Sequence, residues 1–151
     1  MKIEFIREIE APKDVVWSVI ADFAAYAEWN PFVVACSSEL RVGAPMAMTV
    51  RLGDRQREQV EFVSRVVEGE LFEYRMKPVG PLLHSYRQHE VASQADGRTR
   101  YRSTFELNGW LAPLVGDIKW TLTRWLQRND GQSGQSIRTA SFTSKYRISR
   151  G

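Results

Sequence analysis

Four side chains capable of chemistry lie close together in the sequence: His84, Ser85, Arg87 and His89. Residues 82–91 are predicted to form a β-strand, in which residues an odd number apart point to opposite faces. His84 and His89 therefore cannot bind one metal ion on a regular strand, and Ser85 cannot act as a nucleophile paired with His84. No Cys or carboxylate pair has metal-ligand spacing, and no glycine-rich phosphate loop occurs. We expect no metal, no cofactor and no nucleophilic catalysis.

Arg87 and His89 are two residues apart and share one face of this strand with Ser85 and Val91. Burying a guanidinium is costly unless a carboxylate or an anionic ligand pairs with it. If this face points inward, the pair predicts an amphipathic ligand with an acidic or carbonyl head group. If it lies at a solvated sheet edge, the two side chains have no binding role. The sequence leaves both alternatives open.

The elements that must position these residues follow from hydrophobic periodicity. Residues 2–10 alternate as a half-buried strand, Pro12 opens a helix, and Asp22 caps a second short helix that ends before Pro31. From Phe32 to Leu107 the period is two, with turns about every ten residues, which indicates six antiparallel strands. The side chains expected to face inward and line a ligand site on these strands are Met48, Val50, Phe62, Tyr74, Tyr101 and Phe105.

A bulky apolar stripe recurs at helical spacing over residues 112–128 and predicts one long C-terminal helix. Its inward residues Leu114, Ile118 and Leu122 complete the predicted ligand-binding set, whereas Trp120 lies off the stripe. One long helix must then cover the inner face of a curved seven-stranded antiparallel sheet. The predicted class is α+β, a helix-grip fold with a cavity between sheet and helix. Residues 1–128 would form this domain and residues 129–151 a polar, basic, flexible tail.

Composition narrows the function classes. The 151 residues are 43% apolar without any apolar run of spanning length, and residues 1–8 lack the apolar core of a secretory signal. Of 21 basic and 18 acidic residues, the segment 131–151 holds four basic residues and no acidic one. The remaining chain is therefore nearly neutral, which argues against nucleic-acid binding. A single cysteine, Cys36, is typical of a reducing compartment, so we expect a cytoplasmic protein.

Two segments carry a family resemblance: "IEAPKDVVWSVIADFAAYAEWNPFV" at 9–33 and "DGRTRYRSTFELNGWLAPLVG" at 96–116. They resemble the SRPBCC superfamily, also called START/Bet v 1-like or polyketide cyclase/dehydrase-like. The resemblance implies a helix-grip fold, an inward His89, and binding of lipids, sterols, polyketides or similar molecules; a minority of members are cyclases, aromatases or hydrolases. Arg87 and His89 stand where many relatives have His and Phe, and Phe105 replaces a frequent acidic residue.

Three function hypotheses follow. The first is binding of a hydrophobic or amphipathic small molecule in the internal cavity, with Arg87, His89, Tyr74 and Tyr101 as its polar groups. The second is a polyketide cyclase or aromatase in which Arg87 and His89 polarise a carbonyl group and move protons. The third is a protein-interaction module that uses the Trp120 face and the basic tail. The sequence predicts no oligomeric state.

Overall fold

A computed structural model describes residues 2–30, 32–52, 54–78 and 80–110. These residues belong to one compact unit, Met1–Leu114. The predicted C-terminal helix at 112–128, with Leu114, Ile118, Trp120 and Leu122, lies outside the described residues. The predicted tail at 129–151 lies outside them as well.

Seven antiparallel strands form one curled sheet in the order β1-β7-β6-β5-β4-β3-β2. The first and last strands of the described chain are neighbours, because β1 pairs with β7 along its whole length. The predicted strand count and antiparallel pairing are confirmed. The strands are β1 Lys2–Ile9, β2 Val33–Ser37, β3 Pro45–Leu52, β4 Arg55–Val67, β5 Leu71–Met76, β6 His84–Ser93 and β7 Thr99–Asn108.

Short helices connect β1 to β2. They are α1 Lys13–Ala21, a 3₁₀ turn Phe23–Ala25 and α2 Tyr26–Trp29. The carboxylate of Asp22 accepts a hydrogen bond from the Ala25 amide at 3.3 Å, so this predicted cap holds the 3₁₀ turn that precedes α2. Among the described residues, no helix is long and apolar enough to cross a membrane.

The helices pack against one face of the sheet, which we call the inner face. The edge of the Trp17 ring in α1 meets the ring of Phe72 in β5 at a centroid distance of 5.9 Å, and Phe23 meets Phe72 at 5.5 Å. Thr99 in β7 donates a hydrogen bond to the Ala11 carbonyl at 2.7 Å and ties the start of the helical segment to the sheet. Trp17 and Phe72 are both buried, so aromatic packing closes this end of the inner face.

A β-bulge in β4 sets which side chains reach the inner face. Val63 pairs with Tyr74 and Arg65 pairs with Glu73, so Ser64 is an extra residue without an opposite partner in β5. A regular strand would keep Val60, Phe62, Ser64 and Val66 on one face. The bulge breaks that alternation.

Phe62 is consequently on the outer face, opposite the predicted position. Its side chain is 38% exposed and the neighbouring Val60 is 52% exposed, whereas Glu61 and Val63 are buried. The prediction that Phe62 lines the site is wrong, because the extra residue at Ser64 shifts the phase of the preceding residues.

Candidate functional site

Cross-strand pairing arranges the inner face in rows, since directly paired residues share a face. One row runs from Phe5 through Ser103 and His89 to Phe72. The adjacent row contains Phe105, Arg87, Tyr74 and Val63 in the same strand order. Both rows cross β6, which is paired on one side with β7 and on the other with β5. The alternative that Arg87 and His89 lie at a sheet edge is therefore wrong.

His89 is 1% exposed and lies among parallel rings. The ring of Phe72 stacks on the imidazole at a centroid distance of 4.9 Å, and the ring of Tyr74 stacks at 5.8 Å. Burial, with a smaller contribution from the Arg87 charge, lowers the pKa of His89 to about 3. The imidazole is therefore neutral at physiological pH, with one nitrogen as a donor and the other as an acceptor.

The two ring nitrogens of His89 have different surroundings. Nδ1 lies 2.7 Å from the Tyr101 hydroxyl and shares a hydrogen bond with it. Nε2 is buried and has no hydrogen-bond partner in the part of the chain that the structure describes. An unpaired buried nitrogen costs about 1–3 kcal/mol, so Nε2 retains an unused hydrogen-bonding capacity on this face.

Arg87 brings a positive charge to the same surface. Its guanidinium carbon lies over the Phe105 ring, 5.1 Å from the ring centroid, a cation–π arrangement. In the register, Arg87 is directly opposite both Phe105 and Tyr74. The guanidinium is flanked by aromatic side chains and suits planar recognition of a carboxylate or carbonyl oxygen.

Three tyrosines add hydroxyl groups. Burial raises the pKa of Tyr101 to about 12 and raises that of Tyr74 further, with the Arg87 charge acting in the opposite direction on each. Burial likewise raises the pKa of Tyr26, whose hydroxyl donates to the Ile20 carbonyl at 2.9 Å. All three remain protonated at neutral pH and serve as hydrogen-bonding groups.

Glu61 is the residue that sequence reasoning missed. It is only 8% exposed, and it pairs across the inner face with Met46 in β3 and Met76 in β5. Gln59 Nε2 donates to Glu61 Oε1 at 3.0 Å and also contacts the sulfur of Met48 at 3.4 Å. Burial raises the pKa of Glu61, while the Arg87 charge acts to lower it.

No local signal in the sequence reveals this placement. In the segment Gln59–Val66 the alternation of apolar and polar residues places Val60 and Phe62 inward and Glu61 outward. Only the bulge at Ser64 brings the acidic residue to the inner face instead.

The remaining predicted site residues divide into three groups. The inner face brings together the buried Met48, Tyr74, His89 and Tyr101 with the half-buried Val50, Arg87 and Phe105. Phe62 is on the outer face. Leu114, Ile118 and Leu122 lie outside the described residues.

The structure also defines the surroundings of Cys36 and Trp17. Cys36 is half-buried opposite Met48, and burial raises the pKa of its thiol to about 11, so the reactive thiolate is disfavoured. Trp17 donates its indole N–H to Glu68 at 3.0 Å. In the described ranges, no group of three His, Cys, Asp or Glu side chains is placed to hold a metal ion.

Comparisons with known proteins place this face in context. The sequence profile of the family "Polyketide cyclase / dehydrase and lipid transport" matches residues 1–134. No curated protein matches the chain in sequence.

Several solved structures share its fold. The Zhui aromatase/cyclase from Streptomyces sp. R1128 is 18% identical with a TM-score of 0.68, covering 100% of this chain and 96% of that one. A START superfamily protein from Mycobacterium smegmatis is 15% identical with a TM-score of 0.59, covering 85% and 95%. Ginseng major latex-like protein 151 from Panax ginseng is 11% identical with a TM-score of 0.60, covering 85% and 96%. At these identities the likeness concerns the fold alone.

Proposed function

The chain belongs to the polyketide cyclase/dehydrase and lipid transport family, within the SRPBCC superfamily, and from this premise we propose that its inner sheet face binds a hydrophobic or amphipathic small molecule. The candidate classes are lipids, sterols, quinones and polyketide-like compounds. Removing apolar ligand surface from water contributes about 25 cal/mol per Å². A few polar groups then fix the orientation of the ligand, as in most small-molecule sites.

The observation that carries the proposal is the buried Nε2 of His89, which has no hydrogen-bond partner among the described residues. A carbonyl or hydroxyl oxygen of a ligand would satisfy it. Arg87, on the adjacent row, would hold an acidic or carbonyl head group. Tyr74 would contribute its hydroxyl, and Tyr101 would fix the orientation of the imidazole through the 2.7 Å contact.

A second candidate function is a cyclase or aromatase activity on a polyketide-like substrate. The contact between His89 and Tyr101 favours it, because a neutral imidazole hydrogen-bonded to a phenol can pass a proton while Arg87 polarises a carbonyl group. An enzyme would lose turnover more than substrate affinity in His89→Phe. A carrier would lose affinity and show no turnover. The third hypothesis, a module using Trp120 and the tail, concerns residues outside the described ranges.

A thermal-shift experiment tests the binding proposal. Oleic acid, cholesterol, menadione and 6-hydroxy-2-naphthoic acid are the probes, one for each ligand class. A ligand that binds only the folded state at a hundred times its Kd stabilises the protein by about 2.7 kcal/mol and raises Tm. We expect at least one probe to do so. Failure of all four would contradict the proposal.

Arg87→Met supplies the residue-level test, with Arg102→Met as the matched control on the outer face. Losing a hydrogen bond to a charged group should weaken binding of a carboxylate probe by about tenfold or more. Arg102 is paired with Glu4 and Glu90 on the outer face, and its substitution should leave affinity unchanged. Equal affinities of the two variants would show that Arg87 does not contact the ligand.

A cytoplasmic location is part of the same proposal. Cys36 is the only cysteine of the chain and is a free thiol. A lone thiol is stable in the reducing conditions of the cytoplasm. Detection of the native protein in a reducing cellular fraction would support this location, and detection only in a secreted fraction would contradict it.

A further inference from the structure

We propose that Glu61 is a second anchoring group of this face and selects ligands that carry a hydroxyl donor at the end opposite their acidic or carbonyl group. The inference rests on the proposed binding function and adds the ligand class and a specificity-determining residue to it. The favoured ligand is a flat aromatic or polycyclic acid or ketone with a hydroxyl group at its far end.

The placement of Glu61 supports this role. A carboxyl group that is 8% exposed between Met46 and Met76 has lost most of its contact with water, which is unfavourable without hydrogen bonds. Gln59 provides one donor, to Oε1 at 3.0 Å. A carboxyl group accepts more than one hydrogen bond, so capacity remains for a ligand hydroxyl. Such a donor would offset part of the cost of burial.

The position of Glu61 relative to Arg87 sets the length of the ligand. Glu61 is in β4 and Arg87 is in β6, with β5 between them. Neighbouring strands are about 4.8 Å apart, so the two backbones are separated laterally by about 10 Å. Burial raises the pKa of Glu61, and the Arg87 charge acts to lower it. A ligand with an acceptor at one end and a donor about two fused rings away would satisfy both residues.

The aromatic side chains between these groups favour a flat ligand. The rings of Phe72, Tyr74 and His89 are within 23° of parallel and stack on one another across β5 and β6. Side chains stand roughly perpendicular to a sheet, so Tyr74 and His89 direct their ring edges above the inner face, whereas Phe72 is covered by Trp17 and Phe23. Ring edges carry partial positive charge and interact favourably with the face of an aromatic system.

Isothermal titration calorimetry with two acids tests the proposal. The acids are 6-hydroxy-2-naphthoic acid and 2-naphthoic acid, which differ only in the donor. We expect the folded wild-type protein to bind the hydroxylated acid about tenfold more tightly. Glu61→Met places an apolar side chain between Met46 and Met76. It should bring the ratio of the two affinities to about one. Glu58→Met makes the same change at an exposed residue on the outer face of β4 and should keep the ratio.

The outcomes separate the two proposals. Equal wild-type affinities, or a preference that survives in Glu61→Met, would overturn the role of Glu61 while the binding function stands. Failure of the wild-type protein to bind either acid would overturn the role of Glu61, and failure with the thermal-shift probes as well would overturn both. If Glu61→Met does not fold, Glu61→Gln provides the second variant. Its amide oxygen is a weaker acceptor than a carboxylate, so we expect a ratio between one and the wild-type value.

Discussion

The inner and outer faces of the same sheet use the same residue types in different ways. On the outer face, Arg102 lies 3.6 Å from Glu4 and 3.8 Å from Glu90, and all three side chains are about 40% exposed. On the inner face, Arg87 lies over an aromatic ring instead. Water screens the outer pairs, whereas the inner charges act in a less polar environment. The face that each arginine occupies therefore determines whether it pairs with surface carboxylates or lies over an aromatic ring.

The two histidines show the same contrast. His84 opens β6 on the outer face and is exposed, whereas His89 is enclosed by rings and held neutral. Side chains alternate along β6, and His84 and His89 are five positions apart. They therefore point to opposite faces of the sheet. The alternation also supplies matched controls for the following predictions.

The largest effect is expected from Phe72→Ala compared with Phe62→Ala. Phe72 is fully buried and contacts rings on α1, the 3₁₀ turn and β6, so its truncation should cost about 3–5 kcal/mol of unfolding free energy. Phe62 is 38% exposed, and its truncation should cost clearly less. Urea denaturation of both variants provides the measurement. Equal losses would contradict the assignment of the two phenylalanines to different faces.

An intermediate effect is expected from the acid dependence of stability. The pKa of His89 is about 3 in the folded protein against 6.5 ordinarily, so the unfolded state binds more protons between these values. The contribution of His89 to the unfolding free energy is fully present above pH 6.5. Below that pH it falls by about 1.4 kcal/mol per pH unit. In His89→Phe, which keeps a ring in the stack, this loss should disappear. Glu61, which acts in the opposite direction, is common to both proteins and cancels from the difference.

The control for this measurement is His84→Phe. It makes the same change at an exposed residue on the other face of β6. Parallel profiles for His89→Phe and the wild-type protein would contradict the neutral, buried state of His89.

The smallest effect is expected from the outer charges. Glu4→Gln removes one partner of Arg102 at 3.6 Å, and an exposed ion pair contributes about 0.2–1 kcal/mol. The measured loss should shrink further in 1 M NaCl because salt screens exposed charges. A loss above 2 kcal/mol that persists in salt would show that the outer face contributes more to stability than exposure suggests.

Much of the fold was predictable from the sequence because its signals are local. Alternation identified all seven strands, Asp22 identified the turn before α2, and glycine turns such as that at Gly97 separated the last strands. These features depend on neighbouring residues along the chain. The order of the sheet follows from the same short antiparallel connections, apart from the long-range pairing of β1 with β7.

The candidate site was only partly predictable. Arg87 and His89 were identified from their spacing, but their face could be assigned only by the pairing of β6 with β5 and β7. Glu61 was not predicted to face inward, because an irregularity three residues later reverses the alternation. Neither the residue types around Ser64 nor their spacing marks the bulge. It depends on how β4 pairs with a neighbouring strand, which no short window of sequence contains.

The extra residue at Ser64 affects β4 through its accommodation in a bulge rather than through its side chain. Its hydroxyl donates to Glu73 at 2.6 Å, a contact that a substitution would remove without altering the pairing. Deleting the residue would restore regular alternation and leave Glu61 and Val63 on the inner face, because Val63 and Arg65 would keep their pairing with Tyr74 and Glu73. Loss of the bulge with Ser64 retained would instead place Phe62 on the inner face where Glu61 now lies. The bulge therefore decides whether an acid or a phenyl ring lies on the inner face, without any change of fold.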